Sequence, residues 1–136
     1  MIHLDTNVAI VLLNGSLKNV RSHFDAALEA GTSIAMSTIV HHELMYGAAY
    51  SQKRSANEDK ITLFLSSADI VILAFTQADS REAADLRAHL KREGTPIGPY
   101  DTLIAAQARR AGATLTTANT REFERVPGLM LIDWAA

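Results

Sequence analysis

Apolar and polar positions alternate along the chain in blocks of two lengths. Short continuous apolar runs, at Met1–Asp5, Ser33–Met36, Ile70–Ala74, Ala113–Thr117 and Leu129–Ile132, read as buried strands. Between them lie longer stretches with helical spacing. Val8–Leu13 is a short helix that Thr6 or Asn7 can cap and Asn14-Gly15 ends. Leu17–Glu29 places Val20, Phe24, Ala27 and Leu28 on one face, and Gly31 stops it. Ser37 or Thr38 caps a helix running to about Tyr50, with Leu44, Met45 and Ala48 inward. Residues 51–57 are polar and turn-like, and Glu58–Ser67 is helical. Thr76–Glu93 is a long amphipathic helix with Ala83, Leu86 and Leu90 inward, and Pro96–Tyr100 is a loop. Asp101–Ala111 is an Ala-rich helix closed by Gly112, and Thr120–Arg125 is a turn or short helix.

Strands separated by helices imply parallel pairing through crossovers. Continuous apolar strands imply a sheet covered on both faces. The expected fold is α/β: a three-layer α/β/α sandwich around a central, mostly parallel sheet of four to five strands. With 136 residues, no internal repeat and prolines only at 96, 99 and 127, the chain reads as a single domain, 1–136.

Composition removes several classes of function. Apolar residues make up 48% and charged residues 21%, which argues against a disordered chain. The absence of cysteine excludes disulfides, thiolate zinc sites and a Cys nucleophile. No leader peptide or membrane-length apolar run is evident, so a cytoplasmic protein with no membrane association is expected. The net charge of −2 is unevenly spread. Residues 1–86 carry −4, whereas 87–125 carry +3 through Arg87, Lys91, Arg92, Arg109, Arg110, Arg121 and Arg125.

In parallel α/β sheets, sites form outside the carboxyl ends of the strands. Three acids fall there. Asp5 closes the first strand, Glu43 lies early in the helix after the second, and Asp101 opens the Ala-rich helix. Each has a plain structural use as a helix cap or a surface acid near a helix N-terminus. Gathered together, they repel one another and call for a compensating cation. With no thiolate available, a hard divalent ion held by oxygens is the natural candidate, and Mg²⁺ suits a site with few carboxylates. His41 and His42 are adjacent on a helix and do not share a face, so they make a poor chelating pair. Tyr46 and Tyr100 serve either as core packing or as exposed aromatic surface.

Four pieces, in order and spanning nearly the whole chain, carry a resemblance: I-H-L-D-T-N-V, E-L-M-Y-G-A, P-I-G-P-Y-D-T-L-I-A-A-Q-A and T-A-N-T-R-E-F-E-R-V-P-G-L. The chain resembles PIN-domain ribonucleases, and among them the VapC-type toxins of toxin–antitoxin pairs. The resemblance implies a metal-dependent endoribonuclease acting on tRNA or rRNA and leaving a 5′-phosphate and a 3′-hydroxyl. Asp5, Glu43 and Asp101 fall on the family's acidic, metal-holding positions, for Mg²⁺ or Mn²⁺. Thr6 falls on a supporting hydroxyl position. A fourth acid expected after the fourth strand is replaced by Asn119, with Glu122 three residues on. Arg87, Lys91, Arg92 and Arg121 become candidates for phosphate contacts. A cognate VapB-type antitoxin, a homodimer, and a heterotetramer or larger complex with the antitoxin are also implied. Two other readings stay open on sequence alone: a degenerate PIN domain that only binds RNA or protein, and a haloacid-dehalogenase-type phosphatase. The phosphatase would want an Asp where Asn7 stands.

Overall fold

The computed structural model describes residues Met1–Ala136. Five strands form one sheet: β1 (Ile2–Leu4), β2 (Ile34–Ser37), β3 (Val71–Leu73), β4 (Thr114–Thr116) and β5 (Met130–Ile132). The seven helices are α1 (Thr6–Asn14), α2 (Lys18–Glu29), α3 (Thr38–Tyr50), α4 (Arg54–Ser67), α5 (Gln77–Arg92), α6 (Pro99–Arg110) and α7 (Thr120–Phe123). Strand order is β3-β2-β1-β4-β5 and every pairing is parallel. The expected sheet is therefore present with five strands and no antiparallel member. All four residues of β2 are buried, as are His3 and Leu4 of β1, so helices cover both faces of the central strands.

The chain starts in the middle of the sheet and builds outward through β2 to β3. It then returns to place β4 on the other flank of β1. The crevice outside the β1 and β4 carboxyl ends is thus the point where the winding reverses, the position at which such sheets bind ligands. Phe24 is a hub of the core, 5.9 Å from the Phe64 ring and 6.2 Å from Trp134 in an edge contact.

Several local expectations shift. Asp5 itself caps α1, accepting from the Thr6 N–H, and the helix begins at Thr6. Helix α4 starts at Arg54, four residues ahead of the expected Glu58 and within the polar 51–57 stretch. The 96–100 segment is loop only up to Gly98. Pro99 takes the first helical position, where a missing N–H costs nothing, so Asp101 sits inside the first turn of α6. The Ile70–Ala74 run, expected to be covered on both sides, is an edge strand with Val71 and Ile72 exposed. Its β-branched residues suit a strand equally at an edge or at the centre, so composition did not separate the two.

Candidate active site

Asp5 is fixed first. It lies at the β1–α1 junction, only 4% exposed. The Thr6 N–H donates to its Oδ1 at 2.8 Å, and the Thr117 hydroxyl donates to its Oδ2 at 2.8 Å. Burial raises its carboxyl above the ordinary range. The two hydrogen bonds oppose that rise, and the neighbouring Glu43 and Glu122 add to it.

Glu43 comes from the second turn of α3. Its Oε1 accepts from the Thr6 hydroxyl at 2.7 Å, which joins the α1 and α3 starts across the crevice. Glu122, on α7, accepts from the Gly98 N–H at 2.9 Å through Oε1 and from the Asn119 side-chain amide through Oε2. Asn119 is tied in turn to Thr117, whose hydroxyl accepts its backbone N–H at 3.0 Å. Asp101 completes the group from α6. Its carboxyl is pushed up to about 6, first by desolvation and then by the charges of Asp5, Glu122 and Glu43, with Glu122 also favouring the protonated form as a hydrogen-bond partner.

Four carboxylates from four separate elements therefore share one crevice and feel one another. As arranged, no three of them converge closely enough to chelate one ion. Glu43 is turned onto Thr6 and Glu122 onto Gly98 and Asn119, so chelation would need side-chain rotation. The donor set nevertheless fits a hard divalent cation: its charged groups are all carboxylates, and the mutual repulsion that adds to the desolvation of Asp101 is what such an ion offsets. Two helix N-termini, of α1 and α6, open onto the same crevice and favour an anion there.

Glu122 accepts two hydrogen bonds, one of them from the Asn119 amide, which orients it. Thr117 and Gly98 were not singled out in the sequence. Thr117 holds Asp5 from 112 residues away. A Cβ at Gly98 would stand 3.2 Å from Asp101 Oδ2, so that carboxylate would have to shift to admit it. The hydroxyl directly after the fourth strand and the glycine before Pro99 were the available signals.

The basic candidates Arg87, Lys91, Arg92 and Arg121 are exposed and outside all four ion pairs. Arg87 and Lys91 flank a cavity of about 340 Å³ with Pro96, Ile97 and Pro99, beside the loop that holds Glu122. Arg109 and Arg110 are structural instead, paired with Glu82 and Asp79. Tyr46 and Tyr100 are exposed, so the core-packing reading of both falls. His3 is buried, and desolvation pushes its imidazole below the ordinary histidine range.

A model of the PIN domain matches residues 2–129. The chain is 39% identical over 132 residues to the tRNA(fMet)-specific endonuclease VapC of Shigella flexneri, covering 97% of this chain and 96% of that one. It is 37% identical over 133 residues to ribonuclease VapC2 of Rickettsia felis, covering 96% of each. Among solved structures, VapBC2 from Rickettsia felis bound to a promoter DNA fragment superposes with a TM-score of 0.90 at 35% identity, over 98% of this chain and 99% of that one. DNA-bound VapBC from Salmonella typhimurium gives 0.88 at 34% identity, over 98% and 97%. The phosphatase reading falls here, since position 7 carries Asn and the match is to another family. Fold, crevice and near-full-length identity agree, and the chain belongs to the PIN-domain family, among its VapC ribonucleases.

Proposed function

We propose that this chain is the toxin of a toxin–antitoxin pair, a divalent-metal-dependent endoribonuclease in which Asp5, Asp101 and Glu43 hold the metal. The observation that carries this reading is the gathering of Asp5, Glu43, Asp101 and Glu122, from four separate elements, in one crevice at the carboxyl ends of the strands. Mg²⁺ is the expected ion, with Mn²⁺ able to replace it. When bound, the ion supplies charge neutralisation at the scissile phosphate and a lowered pKa for water at neutral pH.

The protein's own groups do the positioning. Thr117 and the Thr6 N–H fix both oxygens of Asp5, so its charge stays aimed at the crevice. The Thr6 hydroxyl holds Glu43 Oε1 and leaves Oε2 for a water, through which Glu43 would hold the metal or take the proton of the nucleophile. Gly98 and Asn119 hold Glu122 against Asp101, where it supports the acid set in the fourth position. The α1 and α6 N-termini attract the phosphate.

Water rather than a ribose hydroxyl attacks, so the products are a 5′-phosphate and a 3′-hydroxyl. The Shigella relative is a tRNA(fMet)-specific endonuclease, which makes tRNA the first substrate to try. Two solved structures similar to this chain are DNA-bound VapBC complexes. That supports a VapB-type antitoxin as partner, presenting an Arg or Lys to the acidic crevice. The toxin would be a cytoplasmic single-domain homodimer, forming a heterotetramer or larger with its antitoxin. No helix is long and apolar enough to cross a membrane.

Purified protein incubated with tRNA and Mg²⁺ or Mn²⁺ tests the reading. Cleavage with 5′-phosphate ends, abolished by EDTA and by Asp5→Ala or Asp101→Ala, is the expected result. Cleavage that survives EDTA or either variant contradicts the metal mechanism. A well-folded protein that binds RNA and never cuts it favours the non-catalytic binding module.

A further inference from the structure

An acidic crevice holds an RNA strand poorly. A cation offsets the repulsion at the cut phosphate, but the flanking nucleotides need another source of affinity. The surface beside the crevice supplies aromatic rings. On α3, Glu43, Tyr46 and Tyr50 stand at positions i, i+3 and i+7, within an arc of about 60° on one helix face. Val40, Leu44 and Ala48 bury the other side of that helix. Tyr46 and Tyr50 are 61% and 82% exposed, and their rings lie nearly parallel, 20° apart with centroids at 6.0 Å. A second pair neighbours two of the acids in sequence. His42, next to Glu43, meets Tyr100, next to Asp101, edge to face at 5.9 Å, and Tyr100 is 47% exposed. Aromatic faces thus begin one residue from two of the carboxylates and continue along α3 for about 10 Å.

Neither pair serves the core. Large apolar rings left in solvent beside a reactive site mark a contact surface. Unpaired bases are the ligand chemistry that suits them, because every base offers a π-face and stacking tolerates sequence. Charge agrees, since Lys53, three residues beyond Tyr50, is exposed and outside every ion pair.

We propose that Tyr46 and Tyr50, together with the His42–Tyr100 pair, form a stacking track for unpaired bases of the RNA strand next to the cleaved bond. This rests on the ribonuclease reading above. It makes the enzyme selective for single-stranded segments and loops, whose bases are free to splay onto the rings.

The test uses the full chain with a fluorescein-labelled RNA hairpin carrying the cut site in its loop, and the same sequence as a perfect duplex. Tyr46→Ala/Tyr50→Ala raises KM for the loop substrate roughly 5- to 100-fold, the range that loss of base–aromatic stacking produces. Its kcat stays within about 2-fold, and Tyr46→Phe/Tyr50→Phe restores KM, because the ring face and not the hydroxyl is used. The KM effect persists at raised salt, where phosphate contacts weaken. An Ala double variant with wild-type KM overturns the track and leaves the ribonuclease reading standing. So does a loss of activity that sedimentation traces to a changed oligomeric state, which would assign the face to a second copy of the chain. A wild-type enzyme that cuts no RNA overturns both.

Discussion

Asp101→Asn separates the electrostatic account of the site from a merely structural one. In the folded protein this carboxyl titrates at about 6 instead of 3.8, because it is desolvated and faces Asp5, Glu122 and Glu43. Below about pH 4 the group is protonated in both folded and unfolded chains and contributes nothing to pH dependence. Between pH 4 and 6 the folded state keeps a proton that the unfolded state has lost, so stability falls as pH rises. Above pH 6 the folded protein carries the full cost of desolvating the charge and of the repulsion around it. One pKa unit corresponds to about 1.4 kcal/mol, which puts a ceiling near 3 kcal/mol on the penalty. The carboxyl is only partly buried, and screening by water reduces this to about 1–2 kcal/mol. Removing the charge with an isosteric amide should therefore stabilise the protein at pH 7.5 in EDTA, by roughly 3–8 °C in Tm for a chain of this size. The gain should vanish at pH 4. Millimolar Mn²⁺ should raise the Tm of the wild type and leave the variant unmoved, because binding to the native state alone stabilises it. Thermal scans at the two pH values, with and without the ion, read all of this. A variant no more stable than wild type at pH 7.5, or one whose advantage persists at pH 4, refutes the repulsion argument.

Other perturbations read different parts of the site. Thr117→Val removes the hydroxyl donor to buried Asp5 Oδ2. Urea unfolding should show a loss of about 1–3 kcal/mol, and the acid limb of the pH–rate profile should move to higher pH as the Asp5 carboxyl rises further. Gly98→Ala places a methyl 3.2 Å from Asp101 Oδ2 at an unstrained backbone φ of −54°. Stability should change by less than about 0.5 kcal/mol while cleavage falls roughly 10-fold or more, since small misplacement of a reacting group is costly. Asp79→Asn is the control. It breaks the 2.7 Å pair with Arg110 and weakens the Thr76–Asp79 capping box at the start of α5. Desolvation works against the Asp79 charge, yet Arg110 and Thr76 together hold its carboxyl below the usual range. The variant should lose about 1–2 kcal/mol in urea unfolding with kcat unchanged.

The chain's local pattern determined much of this molecule by itself. Apolar runs and helical spacing are properties of consecutive residues, so the alternation of strands and helices, the parallel sheet and the placement of Asp5, Glu43 and Asp101 near strand ends were all legible. Errors clustered where a local pattern serves two ends equally. The β-branched run at residues 70–74 fits an edge strand as well as a central one, and a proline-rich stretch hid the first turn of α6. Tyr46 and Tyr100 had the right spacing for either core or surface, and only the packing of α3 and α6 placed them outside. What the tertiary structure alone decided is pairing at long range. Strand order sets β4 beside β1, and that adjacency brings Thr117 to Asp5 and, through the loop that follows, Asn119 and Glu122 to Gly98 and Asp101. The reason is physical. Register and strand order follow from how whole faces are buried against one another, and no window of neighbouring residues encodes which distant hydroxyl will meet a given carboxylate.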